Sequence, residues 1–265
     1  MKSHLSGFRV FGSGADSAPQ RLFEVYHENS KLRPNVIPQI PRAFVLGQEN
    51  PAPVQPKKYP HARSFALPPW EQADWEPTSL AQLVAKRRTH RKFESRALPM
   101  ASLAALLHCA YGLSDSPHQR RHAPSAGALF PLEIYAALNY SVTPPPGLYH
   151  YGPSDHALAQ LNANEPAKML APSFLEAADI SAAPLIVVIA AVFGKTTAKY
   201  GDRGYRYILL EAGHVAQNIA LAAVALGLAT FPAGGFYDDK VNAWLGLDGV
   251  NEAVCYMIGI GAPVA

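Results

Sequence analysis

The sequence is poor in cysteine and in charge, and both absences narrow the classes of protein it can encode. Cys109 and Cys255 are the only cysteines among 265 residues, so no disulfide framework is implied and both thiols are expected to be buried and free. Charged residues make up 16% of the chain, below the usual share of about a quarter, whereas hydrophobic residues make up 49%. A thinly charged surface of this kind is typical of an obligate oligomer, because another subunit covers part of it.

The sequence also lacks a basic stripe, a membrane span and an export signal. Its net charge of +3 is too small to indicate a nucleic-acid partner, and the basic clusters at 86–92 and 120–121 favour a local anion instead. No run approaches the roughly 18 apolar residues of a membrane span, and the first residues lack the apolar core of a secretory signal. His118 and His122 alone have helical spacing, in a predicted loop, so no metal site is expected. We therefore expect a cytoplasmic protein.

Proline divides the chain into two regions. Residues 1–75 hold much of the proline and little periodicity, apart from a predicted short helix at Gln20–Leu32. We expect an extended arm that wraps the protein or a neighbouring subunit, with a partly disordered leader as the alternative. Residues 76–265 carry regular hydrophobic periodicity and are predicted to form one domain.

The periodicity of the second region predicts interleaved helices and strands. Helices are predicted from Ser79, at Leu98–Gly112, near 165–180, at Tyr205–Gly227 and at 239–245. Strands are predicted at Leu132–Tyr140, in a hairpin around Gly152–Asp155, at Leu185–Phe193, in LATF and in AVCYMIGIG. Because strict βαβ repetition is missing, we expect an α+β domain with one mixed central sheet surrounded by helices.

A basic segment, RRTHRKF at Arg87–Phe93, has the spacing of an anion site. If the chain is extended here, alternation places Arg87, Thr89 and Arg91 on one face, and two guanidinium groups with one hydroxyl suit a phosphate monoester. Arg88 and Lys92 would then point the other way. The alternative is a basic helix C-terminus that complements the helix dipole.

Two further segments would let a flat ring approach the backbone. PSAGALFPLEIY at Pro124–Tyr135 begins with small residues, and Ser125 offers a hydroxyl to a ring atom. FPAGGF at Phe231–Phe236 contains adjacent glycines whose N–H groups can be exposed at close range. Ordinary tight turns are the alternative reading of both segments.

Together the three segments resemble the FMN-dependent nitroreductase superfamily, specifically its SagB-type branch, which contains the McbC-like azoline (thiazoline) oxidases. The match covers roughly residues 20–262, with Thr89 in place of the more usual serine and Phe130 in place of tyrosine. The resemblance implies a dimeric nitroreductase-like fold with FMN as the cofactor. Its phosphate would be held by the arginine segment, although no basic residue follows Lys240 to supply the second contact that many relatives have.

The resemblance also implies where the isoalloxazine ring lies. The small-residue segment would meet the ring from the subunit that does not hold the phosphate, and an N–H of the glycine pair would lie near N5, where it stabilises negative charge. The implied cofactor-binding residues are Arg87, Arg88, Thr89, Arg91, Pro124, Ser125, Ala126, Gly127, Leu129, Gly234 and Gly235.

The longest predicted helix carries a polar stripe. Glu211, His214 and Asn218 lie at i, i+3 and i+7 and are expected to be at least partly buried, so they need partners. One reading is a hydrogen-bond network across a dimer interface. The other is that His214 or Asn218 contacts the ribityl chain or the ring of FMN.

Lys199 and Tyr200, in KYGDRGYRY, resemble the Lys-Tyr pair of azoline oxidases, which implies a catalytic role. Oxidising an azoline requires a base, and both free side chains have pKa values near about 10. We expect Arg203 and Arg206 to lower the pKa of one of them. The alternative is a solvated loop lysine beside a packed tyrosine.

Three functions are compatible with these residues. The first is an FMN-dependent oxidoreductase that oxidises a thiazoline- or oxazoline-type heterocycle in a peptide or carrier-bound intermediate, with O2 reoxidising the flavin. The second is an NAD(P)H-dependent nitroreductase or ene-reductase. The third is a non-catalytic flavin-binding subunit that supports a cyclodehydratase or synthetase complex.

Overall fold

The structure is a computed structural model that describes residues 21–31, 57–115, 120–174 and 179–264. Most of the predicted arm (1–75), part of the predicted helices near 165–180, and His118 lie outside the described residues. The described helices are α1 (Leu22–Asn29), α2 (Leu80–Lys86), α3 (Met100–Tyr111), α4 (Pro166–Leu170), α5 (Gly194–Tyr200), α6 (Arg203–Ala225) and α7 (Asp238–Leu245). The described strands are β1 (Ser64–Ala66), β2 (Leu113–Asp115), β3 (Arg120–Arg121), β4 (Leu132–Leu138), β5 (Gly147–Gly152), β6 (Ala157–Asn162), β7 (Leu185–Val192), β8 (Ala229–Ala233) and β9 (Glu252–Gly261).

The α+β architecture is confirmed, but the strand directions differ from the expectation. Seven strands form one sheet in the order β1-β6-β5-β4-β7-β9-β8, and every pairing within it is antiparallel. Among the described residues, parallel pairing occurs at the isolated bridge between Thr89 and Thr230. The expectation of a mixed sheet is therefore wrong for the named strands. One reason is that β4, β5 and β6 follow one another through short connections, which join antiparallel neighbours.

The centre of the sheet is buried on both faces, which explains why its strands read as continuous apolar runs. All seven residues of β4 are buried. Ile134 packs in one hydrophobic cluster with Val215 of α6, and its neighbour Tyr135 packs in the opposite cluster with Leu245 of α7. The sheet therefore separates two cores, and α6 covers one of them.

Helix α6 is long and apolar enough to span a membrane by length and composition alone. However, 56% of its most apolar window is buried inside the protein, as in the core helix of a globular domain. Its outer side exposes Tyr205, Leu209 and Leu210, which are 40%, 42% and 59% accessible. The helix thus has one face in the core and one apolar face turned outward.

Two helices, α2 and α3, begin or end at residues that the sequence marks. The Ser79 hydroxyl accepts the N–H of Gln82 at the start of α2, as expected for a cap. Helix α3 begins after Pro99 and ends at Gly112, within the predicted span. Helix α5 was not predicted, because its seven residues lie directly after an apolar strand and carry no periodic pattern of their own.

Candidate active site

The arginine segment leaves the helix and becomes extended, which is the condition that its interpretation as a phosphate site requires. Helix α2 ends at Lys86, and Arg87 has φ −54° and ψ 122°, outside the helical region. Thr89 bridges Thr230 of β8, and the His90 N–H donates to the Thr230 carbonyl at 3.0 Å. Thr89 and Arg91 are exposed and Arg87 is half-buried. The segment therefore adds a short parallel edge beside β8.

Arg88 behaves differently from its neighbours. Its guanidinium donates to the carbonyls of Ala85 and Arg87, each at 2.8 Å, so it caps the C-terminal end of α2. The guanidinium of Arg91 instead lies 5.2 Å from the centre of the Phe231 ring in β8. Arg88 therefore acts as the basic residue at a helix C-terminus. Arg87, Thr89 and Arg91 instead belong to the extended segment.

The glycine pair follows β8 directly. Ala233 lies three positions after Thr230, about 10 Å further at the rise of a strand. Gly234 is exposed, its φ is not in the left-handed region, and a Cβ placed there would meet the Tyr256 ring at 3.9 Å, an ordinary contact. Neither backbone conformation nor packing among the described residues requires glycine at this position.

The small-residue loop before β4, which we call the shelf (Pro124–Phe130), has an unusual backbone. Gly127, Ala128 and Phe130 have φ values of 62°, 52° and 47°, in the left-handed region that L-residues rarely adopt. A Cβ on Gly127 would lie 2.6 Å from the Tyr200 hydroxyl oxygen and 3.1 Å from the Lys199 Nζ. The shelf is therefore in direct contact with the Lys-Tyr pair, about seventy residues further along the chain.

The Lys-Tyr pair lies at the end of α5, not in a loop. Lys199 is 5% exposed, and its Nζ lies 5.5 Å from the centre of the Tyr200 ring. The Tyr200 ring packs edge-on against Tyr207 at 5.1 Å, and burial together with Tyr207 raises the pKa of the Tyr200 hydroxyl. The alternative of a solvated loop lysine is therefore wrong.

The two arginines expected to lower a pKa at this pair are turned elsewhere. The Arg203 Nε donates to the Tyr207 hydroxyl at 3.0 Å, and its Nη1 donates to the Ser30 carbonyl at 2.8 Å. The Arg206 Nη2 donates to the His27 carbonyl at 2.9 Å. Both guanidinium groups therefore connect α6 to α1 or to Ser30, the residue that follows α1. The pKa of Tyr200 is raised, so the expectation that it is lowered is wrong.

The polar stripe of α6 is only partly buried. Glu211 is 2% exposed, Asn218 is half-buried and His214 is exposed. At 3.6 residues per turn, Asn218 lies within about 20° of Glu211 around the helix, whereas His214 lies about 60° away. The expectation that the stripe is buried is therefore wrong for His214, which sits on the outward face.

Glu211 connects α6 to the shelf. The Tyr111 hydroxyl donates to the Glu211 Oε1 at 2.7 Å, and the Ser125 hydroxyl lies near enough to the same carboxyl group to lower its pKa. Burial raises the pKa of Glu211 to about 7, although these hydrogen bonds and the charges of Arg121 and Lys195 oppose the rise. Glu211 thus links α6 to the segment before β4, a contact that the helical spacing of the stripe does not reveal.

A buried ionic network next to the pair was missed by sequence reasoning. The Lys195 Nζ lies 2.8 Å from Glu133 Oε1, and the His150 Nε2 lies 2.9 Å from Glu133 Oε2. Burial alone would raise the pKa of Glu133, but its hydrogen bonds to His150 and Lys195 and the lysine charge lower it below its usual range. The available signal was one glutamate inside the apolar strand LEIYAAL, since a buried carboxylate needs a partner.

Two known proteins have sequences similar to that of this chain. "Putative nitroreductase MJ1384" of Methanocaldococcus jannaschii is 40% identical over 169 residues, which is 64% of this chain and 85% of that protein. The Microcin B17-processing protein McbC of Escherichia coli is 30% identical over 156 residues, which is 57% of each chain. This chain thus aligns with little more than half the length of McbC.

A solved structure extends the likeness of fold. A chain of the E. coli microcin synthetase McbBCD complex with truncated pro-MccB17 bound superposes with a TM-score of 0.60 and 22% identity, covering 92% of each chain. The family model described as "Nitroreductase family" matches residues 84–262, about two thirds of the sequence. This protein belongs to the nitroreductase family.

Proposed function

We propose that this protein is an FMN-dependent oxidoreductase that oxidises a thiazoline- or oxazoline-type ring in a peptide or carrier-bound intermediate, with O2 reoxidising the flavin. The observation that carries the proposal is the contact of Gly127 with Lys199 and Tyr200. It brings a loop suited to a flat ring against a buried amine and a phenol. A substrate lying over the shelf would meet both groups.

The residues fit FMN at the opposite end as well. Arg87, Thr89 and Arg91 alternate along an extended segment beside Thr230, and such a set suits a phosphate monoester. The roughly 10 Å from Thr230 to Ala233 is a distance that a ribityl phosphate chain can span. The space beside Gly234, which the described residues do not need, suits the close approach of a ring.

The chemistry divides between cofactor and chain. Aromatising an azoline breaks one C–H bond to release a hydride equivalent, which FMN accepts when bound, and breaks a second bond to hydrogen to release a proton. The proton must go to the protein or to water. We propose that Lys199 accepts it, with the Tyr200 phenol as a hydrogen-bond donor beside it, and a positioned base typically contributes about 10²–10⁴-fold to the rate.

Substitutions can distinguish the role of Lys199 from that of Tyr200. The raised pKa of Tyr200 favours its neutral phenol near pH 7, a form that donates a hydrogen bond. Tyr200→Phe removes that donor and keeps the ring, whereas Lys199→Ala removes the amine. If Lys199 accepts the proton, Lys199→Ala lowers kcat more than Tyr200→Phe does.

We also propose that the protein acts as a homodimer. Leu209 and Leu210 of α6 are exposed, and so are Leu80 and Val84 of the adjoining helix α2, at 67% and 54%. An apolar face of this kind on two packed helices is typical of a covered surface. Light scattering on the purified protein tests this, and a monomer of 28.6 kDa would contradict it.

The decisive experiment first records the visible spectrum of the purified protein and then measures oxidation of an azoline peptide. Purified protein should show the visible bands of oxidised flavin, and an azoline-containing peptide should bleach them without added nicotinamide. Oxygen should then restore the bands and release azole product. A colourless protein that takes up no FMN would overturn the assignment of cofactor, and a flavoprotein inert to azolines would overturn that of substrate.

A second candidate is a nitroreductase or ene-reductase fed by NAD(P)H. The 40% identity to the M. jannaschii protein named as a nitroreductase favours it. Rapid bleaching by NADPH, followed by turnover of a nitroaromatic or an activated alkene, is the result expected from this activity. The likeness to a chain of a peptide-bound synthetase complex favours the first candidate and suggests a cyclodehydratase-type partner.

A further inference from the structure

The shelf has a backbone that needs to be held in place. Ala128 and Phe130 have positive φ values although neither is glycine, and Gly127 between Ala126 and Ala128 shares the left-handed conformation. Such conformations are sparsely populated and persist where the surrounding structure fixes them. The groups that fix this loop therefore decide what it presents to Lys199 and Tyr200.

Two hydroxyl groups lie between the backbone and one carboxyl group. The Ser125 hydroxyl accepts the N–H of Phe130 at 2.9 Å and lies beside the Glu211 carboxyl group, whose pKa it lowers. The Tyr111 hydroxyl accepts the N–H of Leu132 at 3.3 Å and donates to Glu211 at 2.7 Å. The Tyr111 hydroxyl thus relays one backbone amide to Glu211, and the Ser125 hydroxyl holds a second amide beside the same carboxyl group.

The half-buried Arg121 completes the arrangement. The side chain of Arg121 lies over the rings of Tyr111 and Phe130, 4.9 Å and 5.6 Å from their centres, and its Nη1 donates to the Tyr111 carbonyl at 3.2 Å. Its Nε is buried with no hydrogen-bond partner among the described residues. The charged groups that face Glu211 are thus Arg121 from β3 and Lys195 from α5, and the titratable hydroxyl is that of Tyr111.

We propose that Glu211 is a positioning residue that holds the shelf, through the hydroxyls of Ser125 and Tyr111, in the conformation that meets Lys199 and Tyr200. This inference rests on the proposed function for its catalytic meaning. The anchoring itself is a statement about the chain alone. The proposed anchoring would explain why a carboxyl group is buried in the middle of α6.

Amide hydrogen exchange on the full-length protein tests the anchoring directly, with fragmentation that resolves Phe130 and Leu132. Ser125→Ala should speed exchange at Phe130, and Tyr111→Phe should speed it at Leu132, each by about tenfold as expected for one lost hydrogen bond. Glu211→Gln, which keeps the size of the side chain but not both acceptor oxygens, should speed both. Adding Ser125→Ala to Glu211→Gln should change Phe130 little further, because one relay is involved.

Matched controls exclude a general loss of stability. Ser173→Ala removes another buried serine hydroxyl, and Tyr149→Phe removes a hydroxyl that donates to the Pro145 carbonyl, in segments that carry no member of the network. These variants should leave Phe130 and Leu132 at their wild-type rates. Wild-type exchange at both amides in all three network variants would overturn the proposal, and so would equal acceleration in the controls.

A kinetic readout separates positioning from binding. With the flavin-loaded protein, Glu211→Gln should lower kcat at least tenfold and leave KM for the azoline peptide within about twofold, because the loop presents the reacting geometry rather than the substrate contacts. An unchanged kcat would overturn the catalytic meaning. If the wild-type protein takes up no FMN, the proposed function fails, and the exchange experiment still decides whether Glu211 anchors the shelf.

Discussion

The two ends of the candidate site are built in different ways. The phosphate end consists of exposed side chains, Thr89 and Arg91, on a segment that leans on the edge strand β8. The reactive end consists of buried groups, with Lys199 and Glu211 at 5% and 2% exposure. Binding an anion needs accessible donors, whereas presenting an amine and a phenol to a substrate needs a fixed geometry. We therefore expect substitutions to cost less at the first end than at the second.

The largest effect is expected at the reactive end, in turnover. Lys199→Ala should retain the flavin spectrum and lose about 10²–10⁴-fold in kcat, because a positioned group able to hold the proton is removed. The measurement is steady-state oxidation of an azoline peptide. Lys240→Ala, an exposed lysine that donates to the Pro172 carbonyl, serves as the control. Full turnover by Lys199→Ala would remove this residue from the mechanism.

The next largest effect is expected in the free energy of unfolding, when the buried partner of Glu133 is removed. Lys195→Met leaves the Glu133 carboxylate buried with His150 alone, and breaking a buried ion pair typically costs about 3–5 kcal/mol. The measurement is the free energy of unfolding in urea.

The exposed pair between Lys168 and Glu165, whose side chains are 77% and 64% accessible, supplies the matched control. Lys168→Met should change the unfolding free energy by less than about 1 kcal/mol, since exposed pairs are screened by solvent. Equal effects of the two substitutions would mean that Glu133 and Lys195 do not act as a buried pair.

These two ends also differ in how far the sequence reveals them. The extended arginine segment follows from alternation within five residues, and the helix cap at Ser79 from one local motif. The contact between Gly127 and Tyr200 joins segments about seventy residues apart, so only the resemblance to a family placed both at one site. The directions of Arg203 and Arg206 depend on α1, which no local pattern connects to α6. Local periodicity therefore predicts elements well and side-chain partners poorly.

The antiparallel sheet and helix α5 show the same limit. Strand direction depends on the route of the connections, and apolar runs such as Leu185–Val192 read alike in parallel and antiparallel sheets when both faces are buried. The single charge in β4, Glu133, was a usable signal, because it demands a partner. Its partner Lys195 lies in α5, whose seven residues are too few to show a helical period.

A pH titration of stability tests the reactive end in another way. Because the pKa of Glu211 is raised from 4.5 to about 7, the folded protein binds this proton more tightly than the unfolded chain. The stability that it contributes is present below about pH 4.5 and is lost as pH rises to about 7, by up to about 3 kcal/mol. Urea unfolding of the wild type and of Glu211→Gln between pH 5 and 8 measures this contribution as the difference between the two proteins.

Glu211→Gln should flatten that loss, and the difference between the two proteins is the quantity to measure. The pKa values of His108, His122 and His156 are lowered, chiefly by burial, so these groups favour folding as pH rises and oppose the slope in both proteins alike. Parallel pH profiles of the wild type and the variant would contradict a buried Glu211 that titrates near neutrality.

The smallest effects are expected at the phosphate end, where neighbouring arginines can be compared. Arg91→Ala should weaken FMN binding by about 1.5–3 kcal/mol, the usual worth of a hydrogen bond to a charged group, and Arg87→Ala should do the same. Arg88→Ala should leave the affinity close to that of the wild type, because the Arg88 guanidinium is engaged by the carbonyls of Ala85 and Arg87. Fluorescence quenching during titration of the apoprotein with FMN measures all three affinities.

The order of these affinities distinguishes two sources of attraction. If the segment attracted the phosphate only through its net charge, all three variants would weaken binding alike, and the loss would shrink together as salt is added. If the alternate residues contact the phosphate, Arg87→Ala and Arg91→Ala keep a deficit in high salt, whereas Arg88→Ala does not. A loss in Arg88→Ala that equals the others and persists in high salt would show that the helix end opens on binding, and the phosphate end would then be as dependent on geometry as the shelf.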